Sequence, residues 1–254
     1  MINKQIDLNS DMGESFGRFK IGSDEKLLPY VTSVNIACGF HAGDPNVMNQ
    51  TVRLAKSHHV SIGAHPGFAD IAGFGRRLIT YTPEEIYRFI IYQIGALDAF
   101  CRIHHVTMRH VKPHGALYNA AAVDRDAALA IAKAVRDVND QLILFGLAGS
   151  ELVTAGREIG IKTVSEVFAD RTYQADGSLT PREHKNALIE NTSTAVAQVL
   201  QMVRNGEVET VDGTIIKMEA DTICVHGDGE YAVEFARELR MLLEREGVTV
   251  GPIA

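Results

Sequence analysis

Tryptophan is absent from this chain of 254 residues, and aromatic side chains of all kinds make up only 7%. A platform that stacks nucleic-acid bases on aromatic rings is therefore not expected. Positive charge is also in short supply: 25 Lys and Arg stand against 32 Asp and Glu, a net charge of −7. That balance excludes a surface built to hold a phosphate backbone. No apolar run approaches the roughly 18 residues that mark a membrane helix. The opening MINKQIDLNSDMGE lacks the apolar core of a signal peptide. The three cysteines, Cys38, Cys101 and Cys224, lie far apart with no CxxC among them. They read as reduced thiols of a cytoplasmic protein. There is no GxxxxGK[ST] loop and no HExxH, and GFGRR and GLAGS lack the spacing and acidic partner of a dinucleotide fingerprint.

What the chain does have is one unit used repeatedly: a short apolar run, a knot of polar residues, then a helix. VNIACGFHAGDP, residues 34–45, is the clearest copy. Its apolar run stops at Gly39, His41 and Asp44 follow, and Pro45 opens a helix that Asp44 caps. Strands are expected at 6–9, 32–38, 61–64, 108–111, 141–145, 163–168 and 222–225. Helices are expected at 45–59, 82–102, 123–138, 150–159, 191–204 and 230–245, with a short one at 24–28. Thr82 and Glu85 form a capping box. Asp212-Gly213 between two β-prone runs marks a hairpin inserted at 207–218. Alternating strands and helices without a linker imply one parallel α/β unit over residues 1–254. The absence of a dinucleotide fingerprint favours a (β/α) barrel of these seven strands over an open sheet. Such folds carry their sites at the C-terminal ends of the strands, which is where the knots fall.

Asp7, Asn9 and Asp11 alternate and so share one face of the first strand. Either that face is solvated, or it points into the barrel and needs partners. His65-Pro66 follows the small pair Gly63-Ala64, which permits a close approach. Lys112-Pro113-His114 is the sharpest knot, because a lysine at a barrel mouth must hold an anion or move a proton. Asp170-Arg171 and His226-Gly227-Asp228 complete the ring. Asp11, His65, Lys112, His114 and Asp170 are the catalytic candidates, and Asn9, Arg171, His226 and Asp228 the substrate-binding ones. Carboxylates and histidines in one ring suit hydrolysis of a small polar molecule, with water activated directly or through a divalent metal. Lys112 and Arg171 suit a substrate carboxylate or an oxyanion. His58, His59, His104, His105 and His110 read as surface or core histidines, and Cys38 and Cys224 as small packing residues. The polar run 171–186, which holds Gly177, reads as a mobile cover.

The stretches DLNSDMGESFG, NIACGFHAGDP, GAHPGFAD, VKPHGALYN, FADRTY with DGSLTPR, and VHGD together resemble the LamB/YcsF family, over nearly the whole chain. The resemblance implies ATP-dependent opening of 5-oxoproline to glutamate by a three-component 5-oxoprolinase. This chain would be its A component, working with subunits B and C. It also implies a distorted seven-stranded (β/α) barrel similar to the glycoside hydrolase and polysaccharide deacetylase group. In those deacetylases an Asp and two His hold a metal, and Asp11, His41 and His65 are the nearest counterparts, with His114 as an alternative to His65. With no nucleotide motif in the chain, ATP is expected to sit largely on the partner subunits. Two rival readings stay open: a stand-alone metal-dependent deacetylase or amidohydrolase, and a non-catalytic substrate-binding component. Self-association is left open too.

Overall fold

The computed structural model describes residues 5–189, 191–225 and 232–253. Seven parallel strands close into a barrel: β1 (Gln5–Met12), β2 (Ser33–Ala37), β3 (Ser61–His65), β4 (Met108–Val111), β5 (Ile143–Leu147), β6 (Thr163–Phe168) and β9 (Thr222–Cys224), which returns to β1. The helices between them are α1 (Asp24–Leu27), α2 (Pro45–Ser57), α3 (Pro83–Ile103), α4 (Gly115–Val123), α5 (Arg125–Val138), α6 (Glu151–Glu158), α7 (Thr192–Asn205) and α8 (Ala232–Arg245). The antiparallel pair β7 (Glu207–Glu209) and β8 (Ile215–Lys217) stands apart from the barrel, and β10 (Thr249–Val250) ends the series.

The barrel's distortion is located in β1. Its first residues, Gln5 and Ile6, pair with β10, Asp7 to Asn9 pair with β9, and Asn9 to Met12 pair with β2. One strand thus closes the barrel low on one side and high on the other. This extra reach is why β1 is longer than the short run its apolar residues suggest.

β2, β5 and β9 are buried at every position, as expected for strands covered by helices outside and by side chains inside. In β1, Ile6, Leu8 and Met12 join the main hydrophobic cluster, while Asp7, Asn9 and Asp11 point inward. Asp7 accepts from the hydroxyls of Thr32 and Ser33, both at 2.6 Å, and of Thr222. The solvated-face alternative is therefore wrong for this strand. Burial raises the Asp7 carboxyl above its usual range, against the opposing pull of these hydroxyls. A small apolar plug of Ile143, Phe145 and Val164 fills the other side of the interior.

Two further boundaries shift for reasons visible in local contacts. β5 runs two residues later than the expected 141–145, because Leu142 bonds back to Asn139 in a turn. The expected helix 123–138 begins only at Arg125, because Asp124 leaves helical geometry and caps it through Asp126 and Ala127. A separate helix, α4, fills residues 115–123 and carries Tyr118 toward the barrel.

Gly63 on β3 shows how tightly the interior is filled: an added Cβ would lie 2.1 Å from the His110 ring. His110 cannot retreat, since its ring stacks on Phe145 at 4.2 Å and its Nε2 bonds Asn35 Oδ1 at 2.8 Å. Gly63→Ala is expected to cost about 1–3 kcal/mol through overpacking. A urea unfolding curve checks this, and an unchanged midpoint would contradict it.

Candidate active site

Lys112 follows β4 directly, and its side chain is 2% exposed. Its Nζ lies 2.8 Å from Glu166 Oε1, 3.1 Å from Asp11 Oδ1 and 3.3 Å from Asn9 Oδ1, with Cys224 Sγ at 3.2 Å and the Phe168 ring at 5.3 Å. Burial alone would lower the lysine's pKa. The charges of Asp11 and Glu166 outweigh it and hold the ammonium well above its ordinary value. Lys112 is therefore a fixed cation rather than a base. Glu166 is held in turn by Asn9 Nδ2 at 2.9 Å and the Tyr118 hydroxyl at 2.6 Å. Burial, together with Glu166, pushes the Tyr118 phenol well up, so it stays a donor. Asn35 donates to both Asn9 Oδ1 (2.7 Å) and Asp11 Oδ1 (2.9 Å), which fixes the Asp11 carboxylate on the lysine side.

The other Asp11 oxygen, Oδ2, lies 3.3 Å from His65 Nε2. His65 Nδ1 is 2.7 Å from the Lys112 carbonyl, so that nitrogen carries the proton. His114 follows the same logic, its Nε2 donating to the Phe74 carbonyl at 2.8 Å. His114 Nδ1 then faces His65 Nε2 at 2.9 Å. The His41 ring stacks on His114 with centroids 3.7 Å apart and planes within 4°. Glu14 Oε1 lies 3.7 Å from both His41 Nε2 and His114 Nδ1. Burial first, and the neighbouring imidazoles second, hold His41 and His114 well below the usual histidine value. Glycines make room for these rings. An added Cβ at Gly67 would meet His41 Nδ1 at 2.6 Å, and one at Gly75, whose φ is +62°, would meet the His41 Cβ at 2.6 Å.

A cavity of about 550 Å³ opens above this group, and Asp11, Glu14, His65, Lys112 and His114 form its floor. Arg76 and Arg182 supply positive charge to its walls. The volume falls within the usual range for small-molecule sites.

The sequence candidates separate in the structure. Asp11, His65, Lys112 and His114 converge on the cavity. Asn9 is fully buried beneath Lys112 and Glu166 and supports the floor instead of lining it. His41 is fully buried, behind the His114 ring. Asp170 does not line the cavity. Arg171 does, but its guanidinium donates to the carbonyls of Thr180 (2.6 Å) and Ala187 (3.3 Å). Those bonds clamp the segment 172–189 into the cavity wall. The same segment is anchored by Thr172 to Asn186 and by Phe168 N, which donates to the Tyr173 hydroxyl, and in this conformation it forms part of the cavity wall. His226 and Asp228 lie outside the described residues.

Three contributors escaped the sequence reading. Glu14 lies just beyond β1 in DLNSDMGESFG, and its spacing alone does not single it out. Glu166 is the one charge in the otherwise uncharged strand TVSEVF, a usable signal. Tyr118 sits on a helix with nothing in its spacing to mark it. His110 and His114 have the spacing HxxxH, yet they do not meet: His110 points into the barrel at Asn35 and Phe145 while His114 turns up to the cavity.

A closed parallel barrel with its polar groups gathered at the C-terminal rim is the architecture of the (β/α)-barrel enzymes. Within that class the chain belongs to the LamB/YcsF family, whose model matches residues 6–254. It is 60% identical over 247 residues to the A subunit of 5-oxoprolinase from Geobacillus thermodenitrificans, covering 97% of this chain and 96% of that one. It is 57% identical over 250 residues to the protein of the same name from Bacillus subtilis, covering 98% and 97%. Among solved structures it matches the lactam utilization protein of Thermus thermophilus with a TM-score of 0.92 and 44% identity, covering 98% of this chain and 100% of that one. The catalytic domain of a peptidoglycan N-acetylglucosamine deacetylase from Eubacterium rectale shares the fold, with a TM-score of 0.52 at 13% identity over 99% and 89% of the chains. No described helix is long and apolar enough to cross a membrane.

Burial, with Lys112 second, lowers His110 from 6.5 to about 3. The unfolded chain protonates this residue as pH falls through 6.5 and the folded chain does not. Its contribution to stability is thus complete above pH 6.5 and lost on the way down to about 3. In His110→Gln the slope of unfolding free energy against pH between 6 and 4 should fall by about 1.4 kcal/mol per pH unit. Parallel pH–stability curves for the two proteins would contradict this.

Proposed function

We propose that this chain is the A component of an ATP-dependent 5-oxoprolinase and provides the site at which 5-oxo-L-proline is opened to L-glutamate. The observation that carries the reading is the near-full-length likeness, at 55–60% identity, to relatives named as the A subunit of that enzyme. A lettered component belongs to a larger assembly, and subunits B and C are the partners of this reading.

The chemistry suits the cavity. The lactam amide is little strained and resists water, so ATP is used to phosphorylate its carbonyl oxygen. Water then adds to the lactam carbon, the carbon–nitrogen bond breaks, and the nitrogen takes a proton to leave as an amine. The acyl phosphate left behind gives glutamate and phosphate on attack by a second water. Asp11, whose Oδ1 lies 3.1 Å from the Lys112 ammonium, is the group placed to take a proton from the attacking water. Asp11, once it holds that proton, can return it to the departing nitrogen, and His65 and His114 line the floor beside it. Arg76 and Arg182 give the walls the charge needed for a carboxylate and a phosphoryl group. Asp170 and Arg171 position the wall. With no nucleotide-binding motif in the chain, ATP sits mainly on the partner subunits.

The test is glutamate release from 5-oxoproline and ATP with all three subunits present, and with each omitted in turn. Asp11→Asn is expected to lower the rate by about 10²–10⁴-fold while the fold is retained. A full rate in Asp11→Asn would overturn the assignment. Turnover by this chain alone, without ATP or partners, would favour an independent amidohydrolase.

A further inference from the structure

The four-residue cluster under the cavity has more lone pairs than protons. His65 and His114 each direct their N–H to a backbone carbonyl, at 2.7 and 2.8 Å, so the two nitrogens that face each other at 2.9 Å are both acceptors. Glu14 adds a carboxylate oxygen, and neither ring nitrogen of the buried His41 has a hydrogen-bond partner among the described residues. The donor atoms of Glu14, His41, His65 and His114 all lie within 4.8 Å of one another. A multivalent cation satisfies the lone pairs that converge there.

We propose that Glu14, His65 and His114 bind one divalent transition-metal ion of the zinc class. Two nitrogens tetrahedrally bound at about 2.0–2.1 Å stand roughly 3.3–3.4 Å apart. The observed His65–His114 and His114–Glu14 separations of 2.9 and 3.7 Å bracket that value. The carbonyls of Lys112 and Phe74 fix the tautomer and orientation of both rings, the usual outer support of a histidine ligand. The His41 ring is parallel to His114 within 4°, so an ion in the plane of one ring lies outside the plane of the other. His41 therefore backs the site rather than completing it, and three protein ligands leave a coordination position open on the cavity side. This ligand set replaces the sequence expectation of Asp11, His41 and His65. Only His65 is kept: Asp11 lies outside the four-residue group, with Oδ1 on Lys112 and Oδ2 beside His65, and His41 is masked by His114.

The inference does not rest on the identity of the substrate, and its test needs neither substrate nor partner subunits. The full chain, stripped with a chelator, is titrated with Zn²⁺ by calorimetry and with Co²⁺ by visible absorption, and the untreated protein is assayed for metal content. The expected result is about one ion per chain, Co²⁺ bands of low coordination number, and a melting temperature raised by Zn²⁺. Glu14→Gln and His114→Gln should each weaken binding by more than the roughly 10–100-fold that loss of an outer-shell partner costs. His104→Gln, outside the cluster, should leave it unchanged. Circular dichroism confirms folding of each variant, and if His114→Gln fails to fold, Glu14→Gln makes the comparison. Wild-type affinity equal to that of Glu14→Gln, or no binding and no Zn²⁺-induced thermal shift, would overturn the proposal.

Discussion

The structure depends on a buried ammonium shared by two carboxylates. Lys112 comes from the end of β4, Asp11 from β1 and Glu166 from β6, so the charge ties three parts of the barrel wall together. A lone lysine in this position would lose its proton or unfold the site, because an uncompensated buried charge costs several kcal/mol. The arrangement holds because the polar atoms around it are matched in turn. Asn9 and Tyr118 hold Glu166, and Asn35 holds Asn9 and Asp11. A partly satisfied network of this kind would be worse than an apolar core.

This polar interior also orders the layers of the site. Asp7 with its hydroxyl partners lies lowest, the lysine web lies above it, and the histidine cluster lies at the rim. Asp11 belongs to two of these layers, with one oxygen on Lys112 and the other on His65. A change at Glu166 or Tyr118 should therefore be felt at Asp11. The irregular closure of the barrel through β1 serves the same end. By pairing with β9 low down and with β2 higher up, β1 brings Asp7 against Thr222 and Asp11 against Asn35 in a single strand.

Much of this was legible in the sequence because a barrel places strand ends together. DLNSDMGE, GAHPG and VKPHG each carry a residue of the cavity floor, and alternation in β1 marked which face was polar. The missed residues are those whose role depends on a distant partner. Glu166 has no neighbour in sequence that explains it; its partner Asn9 is 157 residues away and Lys112 follows another strand. Arg171 misled for the opposite reason. Its place beside an acid suggested an anion site, but its donors go to backbone carbonyls of the following segment, which no residue pattern announces. His41 stands out in its knot, and the fold places it in the histidine group at the rim, stacked on the His114 ring. Asp124 moves the start of the expected helix 123–138 to Arg125, because capping geometry outweighs propensity there.

The most direct measurement of the central claim is the charge state of Lys112, read by side-chain NMR of isotopically labelled lysine and assigned with a Lys112→Arg variant. The account expects a protected ammonium at neutral pH that still holds its proton above 10.5, the ordinary lysine value. A neutral amine at pH 7, or titration below that value, would mean that the two carboxylates do not hold the charge, and the organisation described for the barrel interior would be wrong.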